Sequence, residues 1–402
     1  MKIKQLDVHT PQGYAGELRR ESQFVFNYAT IDTTCEISLT MPLRAKSYSG
    51  NVLPPVFSMS LPEGFLAQRI VQRLAKFEQV DDMRLLAVTG HNAIGRPSCR
   101  MPGQEPTSRK ADVGLRQLLS ERATNALFEH LLEQYIDAGI SGVQPKVMIP
   151  NADRLVDEHA TLWQPDLIVK SGGDEYPWLA VNEYLCMDAA RRANLDVPAF
   201  WLSDDGTLFV MERFDLDGGH HLGFEDMAVL MNQPREPTGR YKYRQSYEAI
   251  TRFIAAYCRE NTTESLQRFY AYLVLSVMVR NGDAHLKNFG LLYEHPRAAS
   301  PRLAPLYDVV TTSAYDDVNV HTGAIETDRT MALKLNKSHS YPDRAALLAF
   351  GRNDCQVASP EKVIECIGQA MSEAWDASRH RLPADFARRL HDEWDGGRRA
   401  VA

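Results

Sequence analysis

One apolar stripe constrains this chain more than any other feature. Leu266, Phe269, Tyr270, Leu273, Val274, Val277 and Met278 recur at spacings of three and four, the period of a helix with one buried face. Directly behind it stands Asn281-Gly282-Asp283-Ala284-His285-Leu286-Lys287-Asn288-Phe289. Gly282 is expected to stop the helix. A carboxylate, an imidazole, an ammonium and an amide thus crowd onto a short loop held by a core helix, the kind of place where a fold displays chemistry.

The spacing within the loop is informative. Asp283 and Asn288 form D-x-x-x-x-N, the catalytic-loop pattern in which the Asp takes a hydroxyl proton and the Asn holds a magnesium ion. The same pair also fits a turn whose side chains bond its own backbone, and the spacing alone leaves both readings open. Asp308 then stands in Ala304-Pro305-Leu306-Tyr307-Asp308, after a short apolar run. Base, Asn and a further Asp at a strand end is the order in which kinase-like phosphotransferases supply base, first metal ligand and second metal ligand. Magnesium favours such hard oxygens together with nucleotide phosphates.

Composition excludes several classes. The chain has 402 residues, 44% hydrophobic and 24% charged, ordinary for a globular protein with large cores. A net charge of −7 argues against autonomous, charge-driven nucleic-acid binding. The start, MKIKQLDVHTPQ, has no apolar core of a signal peptide, and the longest apolar run, Tyr270 to Val279, is too short to span a bilayer. Six scattered cysteines with no C-x-x-C read as reduced core thiols of a cytoplasmic protein.

Along the chain, residues 1 to about 60 read as β-rich, with Phe24-Val25-Phe26 and Cys35-Glu36-Ile37-Ser38-Leu39 as short strands. Residues 64–76 pattern as an amphipathic helix with Phe65, Ile70, Val71 and Leu74 on one side. Ala87-Val88 and Gly90-His91-Asn92-Ala93-Ile94-Gly95 read as loop and turn, and 101–112 as a linker. Residues 114–137 are helical in pattern. Next comes Gly139-Ile140-Ser141-Gly142-Val143-Gln144-Pro145-Lys146, leading into a strand. Its backbone N–H groups suit phosphate oxygens, although it lacks the Walker A pattern and, read by itself, is a turn.

The strand 166–170 ends in Lys170, which either reaches nucleotide phosphates or lies on a solvated edge. The helix 179–192 buries Leu185, Cys186, Ala189, Ala190 and Ala193, with Glu183 available to pair with Lys170. The turn Asp205-Gly206 leads into the strand 208–211 and the connector Glu212-Arg213-Phe214-Asp215, where a nucleotide hinge would lie. From about 224 the chain is mostly helical. Residues 233–245 form a basic, aromatic loop that reads as solvated, with contact to a substrate or nucleic acid as the other option. Met331–Leu335 is strand-like, helices run from about 343 to 394, and Arg398-Arg399 reads as a frayed tail.

Taken in order, these pieces resemble the HipA family, the serine/threonine kinase toxins of bacterial HipBA toxin–antitoxin modules. The likeness rests on Ser141–Lys146, Ile168-Val169-Lys170, Asn182-Glu183-Tyr184, Met211–Asp215, the Asn281–Phe289 loop and Leu306-Tyr307-Asp308, and more loosely on Phe57–Pro62 and Gly90–Gly95. It implies an α+β, bilobal kinase-like (HipA-like) fold, with a β-rich N-terminal part and a helical C-terminal lobe. The implied division is a HipA-like subdomain over 1–107, a kinase N-lobe over 108–215 and a helical C-lobe over 216–402.

The resemblance further implies ATP and Mg2+ as cofactors. Asp283 would be the general base, with Asn288 and Asp308 as metal ligands. Ser141, Gly142, Val143, Gln144, Pro145, Lys146 and Lys170 would face the phosphates, and Glu212, Arg213 and Phe214 would form the hinge. His285, Lys287 and Tyr307 complete the expected nucleotide site. Known members phosphorylate aminoacyl-tRNA synthetases and are restrained by a HipB-type DNA-binding antitoxin, so DNA is expected only indirectly and a membrane not at all. One departure concerns regulation. Where HipA carries its autophosphorylated loop serine this chain has Gly139, and Ser141 becomes the candidate: a dianion there would repel a bound phosphate. A small-molecule kinase, or an ATP-binding pseudokinase serving as co-repressor, are the competing readings; the intact Asp283, Asn288, Asp308 and Lys170 set argues against the latter.

Overall fold

The computed structural model describes residues 2–75, 80–104, 113–120, 125–135, 144–154, 166–173, 176–217, 220–298, 301–318 and 325–402. The chain forms two compact units: Met1–Gly173 with Phe200–Tyr241 and Leu292–Ala298, and Asp174–Ala199 with Lys242–Leu291 and Ala299–Ala402.

The first unit is built on two antiparallel sheets. One has the order Tyr48–Gly50, Phe24–Tyr28, Gly13–Arg20, Gln5–Thr10, Ser98–Arg100. In Gln5–Thr10 every second residue is buried, as a strand with one core face demands. The segment Cys35–Leu39, expected as a strand, is not one. The Asp32 carboxylate accepts the Thr34 N–H and starts a 3-10 turn, Thr33–Cys35. Beyond it Glu36 accepts from Leu43 N–H and Arg297, and Ser38 donates to Glu225. Buried polar side chains with such specific partners hold this segment in place of a ladder. Ala87-Val88 likewise lies within a helix, Asp82–Thr89, whose N-cap Asp81 accepts the Arg84 N–H. In the helix Gly64–Ala75, Ile70 is buried and Val71 exposed, since adjacent helical residues do not share a face.

The second sheet has the order Lys146–Ile149, Leu167–Ser171, Leu208–Glu212, Phe200–Leu202. Its two strands Lys146–Ile149 and Leu167–Ser171 are buried along their whole length. The Asp205-Gly206 turn forms as expected, with Gly206 at φ +74° and Ser203 N–H donating to Leu208.

The second unit is helical. The predicted stripe is the buried face of the helix Thr262–Met278, which packs against Tyr247–Cys258, Pro360–Ser378 and Ala384–Val401. Leu179–Arg192 also lies on Pro360–Ser378. The strand-like 331–335 is Thr330–Leu335, paired with Ser338–Ser340. Arg398-Arg399 is no frayed tail: it lies inside Ala384–Val401, where Arg398 bonds Ser372 and Asp395 and Val401 is buried. Five of the six cysteines are buried and Cys366 is exposed. Among the described residues no helix is long and apolar enough to cross a membrane.

Candidate active site

The second unit carries the acidic cluster. Its helix Thr262–Met278 ends one turn earlier than Gly282 suggests. Arg280 takes the left-handed conformation, φ +59°, while Asn281 N–H bonds the Ser276 carbonyl and Arg280 N–H the Val277 carbonyl. That is a Schellman cap with arginine in the glycine position. Gly282 has a different task. A Cβ there would stand 2.7 Å from the Thr330 carbonyl oxygen and 2.8 Å from Thr312 Oγ1, and its N–H donates to that same Oγ1 at 2.7 Å.

The loop then fixes itself. Asn281 Oδ1 accepts the Asp283 N–H at 3.1 Å, and His285 N–H donates to the Asp283 carbonyl at 2.8 Å. The Asp283 side chain is half exposed, with Oδ2 3.9 Å from His285 Nε2, and Oδ1 accepts from the Tyr243 hydroxyl at 2.7 Å. Asn288 is buried: its Oδ1 accepts the His285 N–H at 2.9 Å, and its Nδ2 donates to Asp308 Oδ2 at 3.2 Å. The twenty-residue separation in sequence is thus closed to one hydrogen bond. Asp308 sits at φ +61°, a conformation that strains a residue with a Cβ and that folds retain where geometry is over-determined. Tyr307 donates to the Lys287 carbonyl at 2.7 Å, a second tie between the two segments.

His285 is buried, and burial pushes its imidazole down to about 4. Asp283 pulls the other way, and Lys242 adds to the lowering. The ring is therefore neutral at pH 7. The Tyr243 ring meets it edge-on, with centroids 5.2 Å apart. Tyr243 closes the 3-10 turn Arg240–Tyr243; Arg240 and Tyr243 are exposed, as expected of the 233–245 loop, whereas Tyr241 and Lys242 are buried.

The chain beyond Asp308 is anchored from three sides. Asn182 brackets Thr311, Trp394 Nε1 donates to Thr311 Oγ1 at 2.8 Å, and Thr312 N–H donates to the Arg280 carbonyl. Sequence reasoning reaches Asn182 only as part of the Asn182-Glu183-Tyr184 run, without a role. It reaches Tyr243 only as part of the basic, aromatic 233–245 loop, and it misses Thr311 and Thr312, which nothing local marks.

The remaining expected site residues lie in the first unit. Lys146 and Lys170 face each other in register across neighbouring strands, so both side chains leave the same sheet face, and both are buried. Lys170 Nζ stands 5.5 Å from the Phe209 ring centroid. Gln144 donates to the Ser171 carbonyl, and Pro145 accepts from Ser171 N–H. Ser141, Gly142 and Val143, with Gly139, lie outside the described residues. Glu212 pairs with Leu167 at the strand end. Arg213 is wholly buried and grips Asp215 with two bonds, 2.9 and 2.7 Å, and the carbonyls of Asn92 and Ala93. Burial acts to raise the Asp215 carboxyl, but the Arg213 charge with bonds from Arg213 and Gly95 holds it below its usual range. Phe214 packs edge-on against Phe224.

Comparison with known proteins bears on this arrangement. A family described as the HipA-like C-terminal domain matches residues 138–377, and one described as the HipA N-terminal domain matches 6–100. A protein of Sinorhizobium fredii named "Putative kinase Y4dM" is 27% identical over 90% of this chain and 87% of its own length. A protein of Haemophilus influenzae named "Putative kinase" is 30% identical over 44% of this chain, which spans about half (54%) of that relative. Among solved structures, HipA from the Shewanella oneidensis complex of HipA, HipB and operator DNA superposes with a TM-score of 0.68, covering 98% of this chain and 96% of that one at 17% identity. That likeness establishes the mixed helix-and-strand HipA fold. On the family matches, this chain belongs to the HipA family, with both its N-terminal and its C-terminal domain.

Proposed function

We propose that this chain is an ATP- and magnesium-dependent protein kinase acting on serine or threonine, and the growth-inhibiting toxin of a toxin–antitoxin pair working in the cytoplasm. One observation carries the reading: Asn288 and Asp308 share a hydrogen bond of 3.2 Å beside the half-exposed carboxylate of Asp283. An exposed acid suits proton acceptance from an incoming hydroxyl. The buried amide and the strained acid next to it suit a fixed metal position.

The donor set fits magnesium. Asp308 offers a carboxylate and Asn288 an amide oxygen, which also accepts the His285 N–H while its Nδ2 donates to Asp308; these hard oxygens would leave other positions to phosphates and water. When bound, the metal would neutralise charge on the transferring phosphoryl group. The protein's own share is positioning. Asp283 accepts the proton, and Asn288 and Asp308 would hold the metal. Lys146, Lys170 and the loop from Ser141 bind phosphate oxygens, two in-register ammonium groups being a face that favours a polyanion. Glu212–Phe214 would meet adenine through backbone groups, with the Arg213 side chain already engaged in holding its own connector. Neutral His285 supports the loop, with Lys287 and Tyr307 at the same site.

The kinase names of the relatives support phosphotransfer, and the HipA likeness supports a protein target in translation, such as an aminoacyl-tRNA synthetase. The HipB and operator DNA of the Shewanella complex support a helix-turn-helix antitoxin partner, with DNA reached only through it. Ser141 is the proposed autophosphorylation site. The test is phosphotransfer from Mg-ATP labelled on the γ-phosphate, wild type against Asp283→Ala, alone and in cell lysate. Label on a protein band that the variant loses supports the reading. No label despite measurable ATP binding would favour a small-molecule kinase or a pseudokinase.

A further inference from the structure

The backbone of the acidic loop is fixed by its own hydrogen bonds, but none of those holds the Asp283 carboxylate. Asn281 Oδ1 takes the Asp283 N–H and His285 N–H takes its carbonyl, so both act on the main chain. The side chain is half in solvent, and the 3.9 Å from Oδ2 to His285 Nε2 exceeds hydrogen-bond reach. The hydroxyl of Tyr243, 2.7 Å from Oδ1, is what orients it. Tyr243 is in turn held: it ends a 3-10 turn, its ring stands at 74° to that of buried His285, and Lys242 Nζ lies 5.2 Å from its centroid.

We propose that Tyr243 is a positioning residue for the reaction: it occupies Oδ1 of Asp283 and leaves Oδ2 as the oxygen that takes the acceptor's proton. This rests on Asp283 being the base. In the step served, the acceptor oxygen bonds to the γ-phosphorus, the bond from that phosphorus to the bridging oxygen breaks, and the acceptor's proton passes to Oδ2. A carboxylate free to rotate would spend less time aimed at the hydroxyl, and loss of aim lowers turnover without touching nucleotide binding.

The experiment compares the full-length wild type with Tyr243→Phe, Asp283→Asn and the double variant, measuring kcat, KM for Mg-ATP and thermal unfolding. Phe keeps the ring contact with His285. Tyr243→Phe should lower kcat about tenfold with KM for ATP and Tm unchanged. The double variant should be no slower than Asp283→Asn, because Tyr243 acts through that carboxylate. If Asp283→Asn is inactive and Tyr243→Phe retains full kcat, the base stands and the positioning role is overturned. A faster Tyr243→Phe also overturns it, since the hydroxyl would then be an occupant that acceptors displace. A loss confined to KM or Tm makes Tyr243 structural. A fully active Asp283→Asn overturns the base assignment, and this proposal with it.

Discussion

Asn182 and Thr311 hold each other by two hydrogen bonds, both 3.0 Å: Asn182 Nδ2 donates to the Thr311 carbonyl and Thr311 N–H donates to Asn182 Oδ1. Both residues are fully buried, and Thr311 stands three positions beyond Asp308. A helix side chain thus stands in for a backbone partner and fixes the strained acid from behind. Asn182→Ala strands a buried donor and a buried acceptor, at about 1–3 kcal/mol each. The expected outcome is a loss of about 3 kcal/mol in denaturant unfolding together with weaker Mg-ATP binding. Asn182→Asp should fare no better, because a carboxylate cannot donate to the Thr311 carbonyl. Wild-type stability in either variant would show that the pair does not brace the acid.

Asp283→Ala removes the proposed base from an exposed position, so the fold should tolerate it. Phosphotransfer should fall by about a thousandfold, within the range that general-base loss produces, while ATP affinity by calorimetry stays close to wild type. A variant of full activity would dismiss the assignment.

Asp308 sits at φ +61°, where glycine is at ease and alanine is not. Two substitutions therefore separate the acid's chemistry from its backbone. Asp308→Gly and Asp308→Ala should both weaken Mg-ATP binding and both lose the bond from buried Asn288, but Ala should be less stable than Gly by about 1 kcal/mol. Equal melting temperatures would show that the left-handed conformation carries no strain, and unchanged Mg-ATP affinity would take Asp308 out of the metal site.

His285 gives a pH signature with a definite sign. Burial lowers its imidazole from 6.5 to about 4 in the folded protein. Between those values the unfolded chain binds the extra proton, so the stability is full above about pH 6.5 and is lost as pH falls toward 4, by about 3 kcal/mol. Glu225 runs the other way. Burial, against bonds from Tyr293, Leu39 and Ser38, raises it from 4.5 to about 7, so its contribution fades as pH rises through that window. The wild-type curve alone mixes the two. The difference between wild type and His285→Gln isolates the imidazole, and it should shift toward wild type by about 3 kcal/mol from pH 4 to 7. A flat difference would mean that His285 takes up its proton normally in the folded state.

Periodicity reveals the elements with strong one-sided burial: the stripe of Thr262–Met278, the helix Leu179–Arg192 and the strand Leu167–Ser171 all form where their patterns lie. Cys35–Leu39 reads as a strand because its apolar alternation hides Glu36 and Ser38, whose partners Arg297 and Glu225 are distant in sequence. The same holds at the candidate site. Asp283 and Asn288 are visible because one loop carries both, and Asp308 because the family-like order brings it in. Tyr243, Thr311 and Thr312 act through hydrogen bonds between segments at least thirty residues apart, and no local pattern encodes those.

Gly282 shows how a residue can stand where one role is expected and fill another. Its position after an apolar helix suggests a stop signal, which requires a positive φ. Arg280 supplies that instead, and Gly282 is needed for space. A Cβ would meet the Thr330 carbonyl at 2.7 Å and Thr312 Oγ1 at 2.8 Å. The first is backbone in the strand Thr330–Leu335 and cannot rotate away, and the second is the acceptor of the Gly282 N–H. Gly282→Ala must therefore push the loop off Thr312, at about 1–3 kcal/mol for the overpacking, and carry Asp283 with it. Arg280→Gly places glycine where the left-handed turn lies but gives up the Arg280 bond to the Gly396 carbonyl and its stacking over Tyr341; the two effects oppose, and stability should stay within about 1 kcal/mol of wild type. Unfolding curves and phosphotransfer rates for the two variants, measured side by side, check the distinction. A glycine that served the helix stop would give the opposite ranking, with Arg280→Gly rescuing Gly282→Ala.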